Sequence, residues 1–285
     1  RIRKDFSLSP TEGRAQIEKR MGHAVSNEKI DYWKRKRYIE ADTIDGKEMW
    51  FRRGVGNFFL LNNEDFKSEN AAEKKSTNNY YAKFYNEAMN CPADYNNLRN
   101  PHKWQLTFNL KVNANAIPDG DTLRVWLPFP METTRQTNVK FLKSSAPIKV
   151  SQGTFHTTAY MEGVAHKDQP TNFSITYSFV SHEQHFTRAD IMSSLKPYDT
   201  SSELYKQYTA EEYPHIIKTE KLKKLAHTIV GEEKNPVLQA SMIYDWIATN
   251  FPWAGAREYS TIPNIPEYVV ENRHGDCGQV ALLYI

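Results

Sequence analysis

Cysteine is scarce in this chain of 285 residues, which contains two, Cys91 and Cys277. Two cysteines form one disulfide at most, so a disulfide framework is excluded as the basis of the fold. We expect both thiols to be free. Cys91 precedes Pro92, and we expect it to be a loop thiol without a chemical role.

An excess of charge of one sign is also absent, and so are long hydrophobic runs. The 37 basic and 34 acidic side chains leave a formal charge of +3, which argues against nucleic acid as a partner. One basic run, residues 34–37, is typical of a solvated helix face, with a phosphate or partner contact as the alternative. No stretch approaches the ~20 apolar residues that cross a bilayer, and no signal-peptide pattern opens the chain. We therefore predict no transmembrane segment in this chain.

The composition that is present, 39% hydrophobic and 25% charged, is that of a globular protein with room for about two domains. Residues 1–101 are predicted to be mainly helical, with a helix start at Pro10 and an aromatic stripe between Tyr80 and Ala88. The glycine pair Gly54 and Gly56 lacks the strand and helix context of a phosphate-binding loop, so we predict a buried turn there.

From about residue 102 the hydrophobic period changes to two. Apolar residues alternate from Trp104 to Val112, again from Leu123 to Leu127, and again from Phe173 to Phe179. The first of these runs predicts a strand with one buried face. Several short strands without intervening helices indicate an antiparallel β-sandwich, which we assign to residues 102–186.

Residues 187–285 begin with a linker-like stretch in which we predict a short helix after Ser201. Thr219 and Asn235 are then the expected N-caps of two amphipathic helices. The overall fold class predicted from these three segments is α+β.

The last of these segments ends in a turn that places one cysteine at the start of an apolar helix. Gly275 permits a tight turn, Asp276 is a good N-cap, and Cys277 then lies in the first helical turn. Free backbone N–H groups and the positive end of the helix dipole favour an anionic sulfur, the form that attacks carbonyl carbon. Gly278 and Gln279, which follow, are polar neighbours that a structural thiol rarely has. We predict that Cys277 is a nucleophile, with a buried structural thiol as the alternative.

Histidine offers two other hypotheses. His274 lies three residues before Cys277 across a glycine, and we expect it to be a turn or pocket residue and not the base. His182 and His185 have two residues between them, not the three of the zinc-binding helix pattern, so we expect a strand end there. We predict no metal and no cofactor.

The segment from about Asn235 to Ile285, with its Asp245-Trp246-Ile247 helix, its aromatic stretch at 251–253 and the turn Arg273-His274-Gly275-Asp276-Cys277-Gly278-Gln279, resembles the first half of a transglutaminase-like core. The resemblance implies a papain-like Cys-His-Asp triad in which Cys277 attacks a carboxamide or peptide carbonyl. It also implies an oxyanion donor upstream. Trp253 is our choice for it beside the backbone N–H of Cys277, with Tyr259 as the fallback.

In the resembling family the catalytic His and Asp follow the nucleophile helix. This sequence stops at Ile285, within that helix, so no histidine of residues 1–285 is assigned to the triad. We expect the chain to be a piece of a longer protein, because the apolar residues at its end otherwise lack a packing partner.

The full-length protein is then expected to perform thiol-mediated acyl transfer on a protein or peptide, with hydrolysis (peptidase or amidase) favoured over crosslinking. The alternative is an inactive binding or assembly module of the cell envelope that retains the fold. The sandwich and its strand end Leu127-Pro128-Phe129-Pro130 are similar to a domain that precedes this core in bacterial envelope proteins. We therefore expect a secreted, periplasmic or cell-surface location; the oligomeric state is open.

Overall fold

The computed structural model of the chain describes residues 1–94, 96–151, 153 and 156–285, with the backbone alone for residues 67–74, 76 and 77. The helices are α1 (Ile2–Asp5), α2 (Pro10–Met21), α3 (Asn27–Arg35), α4 (Gly54–Leu61), α5 (Asn63–Asn90), α6 (Arg188–Ser193), α7 (Glu203–Thr209), α8 (Glu220–Val230), α9 (Pro236–Asn250), α10 (Ile265–Asn272) and α11 (Cys277–Tyr284), with a 3₁₀ helix at Tyr259–Thr261. The strands are β1 (Phe6–Leu8), β2 (Ala41–Ile44), β3 (Lys47–Phe51), β4 (Leu98–Val112), β5 (Thr122–Phe129), β6 (Gln136–Ser144), β7 (Lys149–Val150), β8 (Thr157–Val164) and β9 (Thr171–Gln184).

These elements form two compact units, residues 1–77 with 191–285, and residues 78–190. The predicted α+β class is confirmed, with 40% of residues helical and 27% in strands that pair antiparallel. The predicted division at residues 102 and 187 stays a prediction. Among the described residues, no helix combines the length and the hydrophobicity that crossing a membrane requires.

Helices of the first unit begin where their capping residues predict. Ser9 accepts a hydrogen bond from the Glu12 backbone N–H, and Glu12 accepts one from the Ser9 N–H, which closes a capping box before α2. The side chain of Thr219 caps α8 by accepting the Leu222 N–H, and that of Asn235 caps α9 by accepting the N–H groups of Val237 and Leu238. The predicted helix after Ser201 is α7, capped by Ser202. Local hydrogen bonding is therefore sufficient to locate these helices, whereas α6 was not predicted.

The N-terminal part of this unit also contains a three-stranded antiparallel sheet, in the order β1-β3-β2, that was not predicted. Strand β3 carries Trp50, which is buried against α2, where a Cβ at Gly13 would stand 2.3 Å from its ring. The predicted buried turn at residues 54–56 is wrong in its shape, since Gly54 opens helix α4. The predicted burial holds for Gly54 and not for Gly56, which is exposed.

The second half of this unit has its own apolar cluster beneath the cysteine turn. Its buried members come from α9, from the loop after it and from α10: Ile247, Phe251, Ile262, Ile265 and Val269. Val280, Leu282 and Leu283 of α11 pack against this cluster. Helix α11, which begins at Cys277, is therefore held in position by hydrophobic contacts with this cluster.

The second unit contains two three-stranded antiparallel sheets, in the orders β4-β9-β6 and β5-β8-β7. Their shared core joins Val125, Leu127, Ala159 and Met161 of one sheet to Phe173, Ile175 and Tyr177 of the other. The described residues thus form the predicted antiparallel sandwich, with β9 as the central strand of its sheet.

The prediction that one face of the first strand is buried is wrong. Strand β4 is present, and Leu106 and Phe108 pair directly with Tyr177 and Ile175 of β9. Because β4 lies at the edge of its sheet, its apolar side chains receive less cover than those of β9. Leu106 is 37% exposed, whereas Ile175 is 0% exposed. Alternation predicts the strand, but it does not predict how far the opposite sheet extends.

Candidate active site

Cys277 is the first residue of α11, and its thiol is free and exposed. Asp276 is the N-cap, as predicted. Its carboxylate accepts the Gln279 N–H at 2.9 Å, and the Gln279 side-chain oxygen accepts the Asp276 N–H at 3.3 Å. This capping box fixes the backbone on both sides of the cysteine. Gln279 is 1% exposed, so it supports the turn from inside.

Two backbone N–H groups beside the thiol have no hydrogen-bond acceptor among the described residues. The first four N–H groups of a helix have no acceptor within it. In α11 the Gln279 N–H goes to the Asp276 side chain and the Val280 N–H to the Asp276 carbonyl. Those of Cys277 and Gly278 have no acceptor among the described residues. They are the kind of donor that stabilises a negative oxygen next to a nucleophile.

Tyr259 approaches this turn closely. Its hydroxyl donates to the Asp276 carboxylate, and burial together with that hydrogen bond raises the pKa of Tyr259, so the phenol stays neutral. A Cβ at Gly278 would stand 2.3 Å from the Tyr259 oxygen. Glycine is therefore required at position 278 by this contact. Both residues are candidates from the sequence, whereas their contact is apparent only in the structure.

Gly275 joins the turn to the segment that precedes α10. It forms a parallel bridge with Trp253, and its carbonyl accepts the Ala254 N–H at 3.1 Å. The Trp253 side chain is 59% exposed and forms no hydrogen bond within the described residues. The structure thus brings the backbone of Trp253 beside the turn. Its role as oxyanion donor stays a prediction.

His274 lies in the turn, as expected, and is 3% exposed. Its Nδ1 donates to the Asn272 carbonyl at 2.8 Å, and its Nε2 has no hydrogen-bond partner among the described residues. Burial lowers the pKa of His274, which keeps the ring neutral. No hydrogen bond joins this ring to Cys277.

The loop that carries Trp253 is fixed by a residue from the other end of the sequence. Asn57 of α4 donates to the Gly255 carbonyl at 2.9 Å and accepts the Gly255 N–H at 2.8 Å, and both bonds are buried. The two residues are 198 positions apart. Sequence reasoning did not find this contact, because no local pattern links residues so distant.

Three further contacts join the same regions. The carboxylate of Asp5, which is 4% exposed, accepts the Glu258 N–H at 2.6 Å. Tyr268 of α10 donates to Glu40 at 2.8 Å, and Arg257 lies 3.6 Å from the same carboxylate. Burial raises the pKa of Glu40, with the Tyr268 bond opposing that shift. The N-terminal region therefore fixes the segments on both sides of Tyr259.

In the described part of the chain, no three His, Cys, Asp or Glu side chains converge on one point. His182 lies on β9, with its Nε2 3.2 Å from the Thr137 hydroxyl oxygen. Strand β9 ends at Gln184, just before His185, so this pair lies at the predicted strand end.

Comparison with known proteins agrees with the cysteine turn. Residues 223–285 match the family model of the transglutaminase-like superfamily. No curated protein matches the chain. A crystal structure from Cytophaga hutchinsonii, described as a "putative cysteine protease", matches with 15% identity and a TM-score of 0.41, over 66% of this chain and 64% of that one. The chain thus spans less than two thirds of that protein. The predicted resemblance is confirmed: residues 223–285 are similar to the transglutaminase-like superfamily.

Proposed function

We propose that Cys277 is the nucleophile of a cysteine enzyme that transfers acyl groups from amide or peptide bonds. The observation that carries the proposal is the exposed thiol on the first residue of α11, next to two N–H groups without an acceptor. The family match over residues 223–285 supports it.

The reaction has two steps. The sulfur of Cys277 attacks the carbonyl carbon, and the negative oxygen of the tetrahedral intermediate faces the Cys277 and Gly278 N–H groups. The C–N bond then breaks, the thiol proton leaves with the amine or ammonia, and a thioester remains. Water attacks the thioester, which releases the acid and regenerates the thiol.

A general base must carry the proton in both steps. His274 is buried and bound to a carbonyl, so we do not assign the base to it. The proposal takes the base and the carboxylate that orients it from residues outside 1–285, as the family resemblance implies. We favour hydrolysis over crosslinking, because hydrolysis needs only water as the acyl acceptor, whereas crosslinking also requires a site that admits an amine and excludes water.

The test compares the full-length protein with its Cys277→Ala and Cys91→Ala variants. We expect iodoacetamide to label Cys277 faster than Cys91, which is half-buried with its sulfur 3.6 Å from the Asn100 side-chain oxygen. Ammonia or amine release from a glutamine-containing peptide should be lost in Cys277→Ala and kept in Cys91→Ala. Incorporation of a labelled amine in place of hydrolysis would make the enzyme a crosslinking one. Turnover that survives Cys277→Ala would refute the proposal.

A binding module is the second candidate, and the uncovered side chains of β4 favour it. Trp104, Leu106, Phe108 and Leu110 are 37–48% exposed on one face of that strand. Contiguous apolar surface of this kind is a feature of interaction sites. Alkylation of Cys277 at the rate of a free peptide thiol, without turnover, would favour this candidate.

The remaining parts of the proposal concern the protein's setting. We propose a protein or peptide substrate and a location outside the cytoplasm, in the periplasm or on the cell surface. The support for the location is the similarity of residues 102–186 and of the Leu127–Pro130 strand end to bacterial envelope proteins. Fractionation of the source cells with an antibody to this chain tests it, and recovery in the cytoplasmic fraction would contradict it.

A further inference from the structure

A cavity lies beside the segment that carries Trp253. Its volume is ≈ 490 Å³, and its walls include Arg20, Arg53, Asn57, Phe59, Trp253 and Gly255. This volume is within the range of small-ligand sites, about 300 to 1,000 Å³. All of these residues belong to the first unit, and none of the lining residues is acidic.

The two arginines in the wall have no acidic partner in the part of the chain whose side chains are described. Neither guanidinium lies within 4.0 Å of a carboxylate among the described residues, whereas the neighbouring Arg52 pairs with Asp5 at 3.3 Å. Unpaired guanidinium groups inside a concave surface attract anions, because charges of one sign reinforce each other there. The charge of this cavity is therefore positive.

Both arginines are exposed residues, and each side chain contacts another residue of the wall. The guanidinium carbon of Arg20 stands 3.9 Å from the centre of the Phe59 ring. The side chain of Arg53 lies against Gly255, where an added Cβ would be 3.4 Å from the Arg53 Cδ. Because both residues are exposed, their guanidinium groups are accessible to a ligand that enters from solvent.

One residue, Trp253, connects the cavity to the cysteine turn. Trp253 belongs to its wall, and the same residue bridges to Gly275, two positions before Cys277. Asn57, also in the wall, holds Gly255 through two buried hydrogen bonds. The wall of the cavity and the cysteine turn are therefore joined through the backbone bridge between Trp253 and Gly275.

We propose that this cavity is a substrate subsite that binds the carboxylate of an acidic peptide side chain. A carboxylate fits the planar guanidinium group, because two parallel N–H groups of the guanidinium donate to its two oxygens. The exposed Trp253 indole provides apolar contact for the methylene groups that carry the carboxylate. The inference rests on the proposed function, since it names the substrate class of that enzyme.

The experiment measures binding without turnover. In the Cys277→Ala background, isothermal titration compares two blocked peptides that differ only in Glu against Gln. We expect the Glu peptide to bind at least about tenfold more tightly, with the preference reduced at high salt. Arg53→Gln and Arg20→Gln should each reduce the preference to about twofold or less. Arg35→Gln, which removes an exposed arginine outside the cavity, is the matched control and should leave the preference unchanged.

The outcomes separate the two proposals. Equal binding of both peptides, or an equal loss in Arg35→Gln, overturns the subsite. So does inorganic phosphate that displaces the Glu peptide at a lower concentration than acetate. Acidic preference in Cys277→Ala with no turnover by the unchanged protein supports the subsite and contradicts the proposed chemistry. If the Gln variants unfold, Arg53→Lys and Arg20→Lys keep the charge and remove the fork, and we expect them to lose part of the preference.

Discussion

At the scale of single residues, the cysteine turn depends on one missing Cβ. Gly278 lets Tyr259 place its hydroxyl on the Asp276 carboxylate, which in turn caps α11. A substitution that fills the space at Gly278 and one that removes the Tyr259 hydroxyl should therefore both affect the hydrogen bond between Tyr259 and Asp276. These two residues are energetically coupled, and a double-mutant cycle measures such coupling.

We predict that Gly278→Ala lowers the free energy of unfolding by about 1–3 kcal/mol, because the added methyl displaces Tyr259. In a Tyr259→Phe background the nearest contact relaxes from 2.3 Å to 3.2 Å, since the hydroxyl oxygen is gone. The same substitution should then cost about 1 kcal/mol less. Urea unfolding of the four proteins checks this, and costs that simply add would show that the two positions are independent.

His274 gives a second residue-scale prediction, on pH. Burial lowers its pKa in the folded state, below the unfolded value of about 6.5. As the pH falls below about 6.5, the unfolded chain takes up a proton that folded His274 does not. We expect the free energy of unfolding to fall in that window, down to the folded pKa. Urea unfolding between pH 8 and pH 5 should show a smaller fall in His274→Gln than in the exposed control His227→Gln. Equal falls would contradict the assignment.

At the scale of elements, the loop that joins α9 to α10 owes its position to α4. The loop carries Trp253 and Tyr259, and Asn57 binds both backbone polar groups of Gly255 within it. Helix α4 is thus a support for the cysteine turn as well as part of the N-terminal core. Asn62, at the end of the same helix, bonds Asp65 and not the loop.

We predict that Asn57→Ala lowers the free energy of unfolding by about 3 kcal/mol, because it leaves a buried N–H and a buried C=O without partners. It should also change the iodoacetamide labelling rate of Cys277, since Trp253 and Gly275 are bridged. Asn62→Ala is the control: it removes an amide that is 0% exposed, so it destabilises as well. Labelling that changes equally in both variants would show that general loosening, and not the loop contact, is responsible.

At the scale of the whole molecule, the chain forms two units, and the first is built from both ends of the sequence. The second unit contains a sandwich whose core centres on β9. Strand β4 pairs with β9 along nearly its full length, yet its apolar face is only partly covered. Burial in this unit therefore depends on which strand the opposite sheet reaches.

We predict that Ile175→Ala lowers the free energy of unfolding of the second unit by about 2–5 kcal/mol, because it opens a cavity in a packed core. Leu106→Ala, on the same face of the same sheet, should cost less than about 1.5 kcal/mol, because its side chain is already 37% exposed. Hydrogen exchange of the β9 amides measures both. Equal costs would indicate that the β4 face is covered in solution.

Sequence alone determined the features that depend on neighbouring residues. The starts of α2, α8, α9 and α11 follow from their capping side chains, and alternation located β4, β5 and β9. The cysteine turn was recognised in the same way, because its residues are contiguous. These elements are specified by hydrogen bonds and side-chain periods within a few positions.

Tertiary structure alone decided what lies against what. The apolar face of β4 is partly exposed, and the glycines at residues 54–56 lie at the start of α4. The sheet β1-β3-β2 forms although no alternation in the sequence indicated it. Tertiary structure also joined Asn57 to Gly255 across 198 positions and left Arg20 and Arg53 in one cavity with Trp253. Such contacts join residues with no local relation, and they form because packing of the complete unit brings them together. The sequence predicts Cys277 as the nucleophile, and the fold determines which residues surround it.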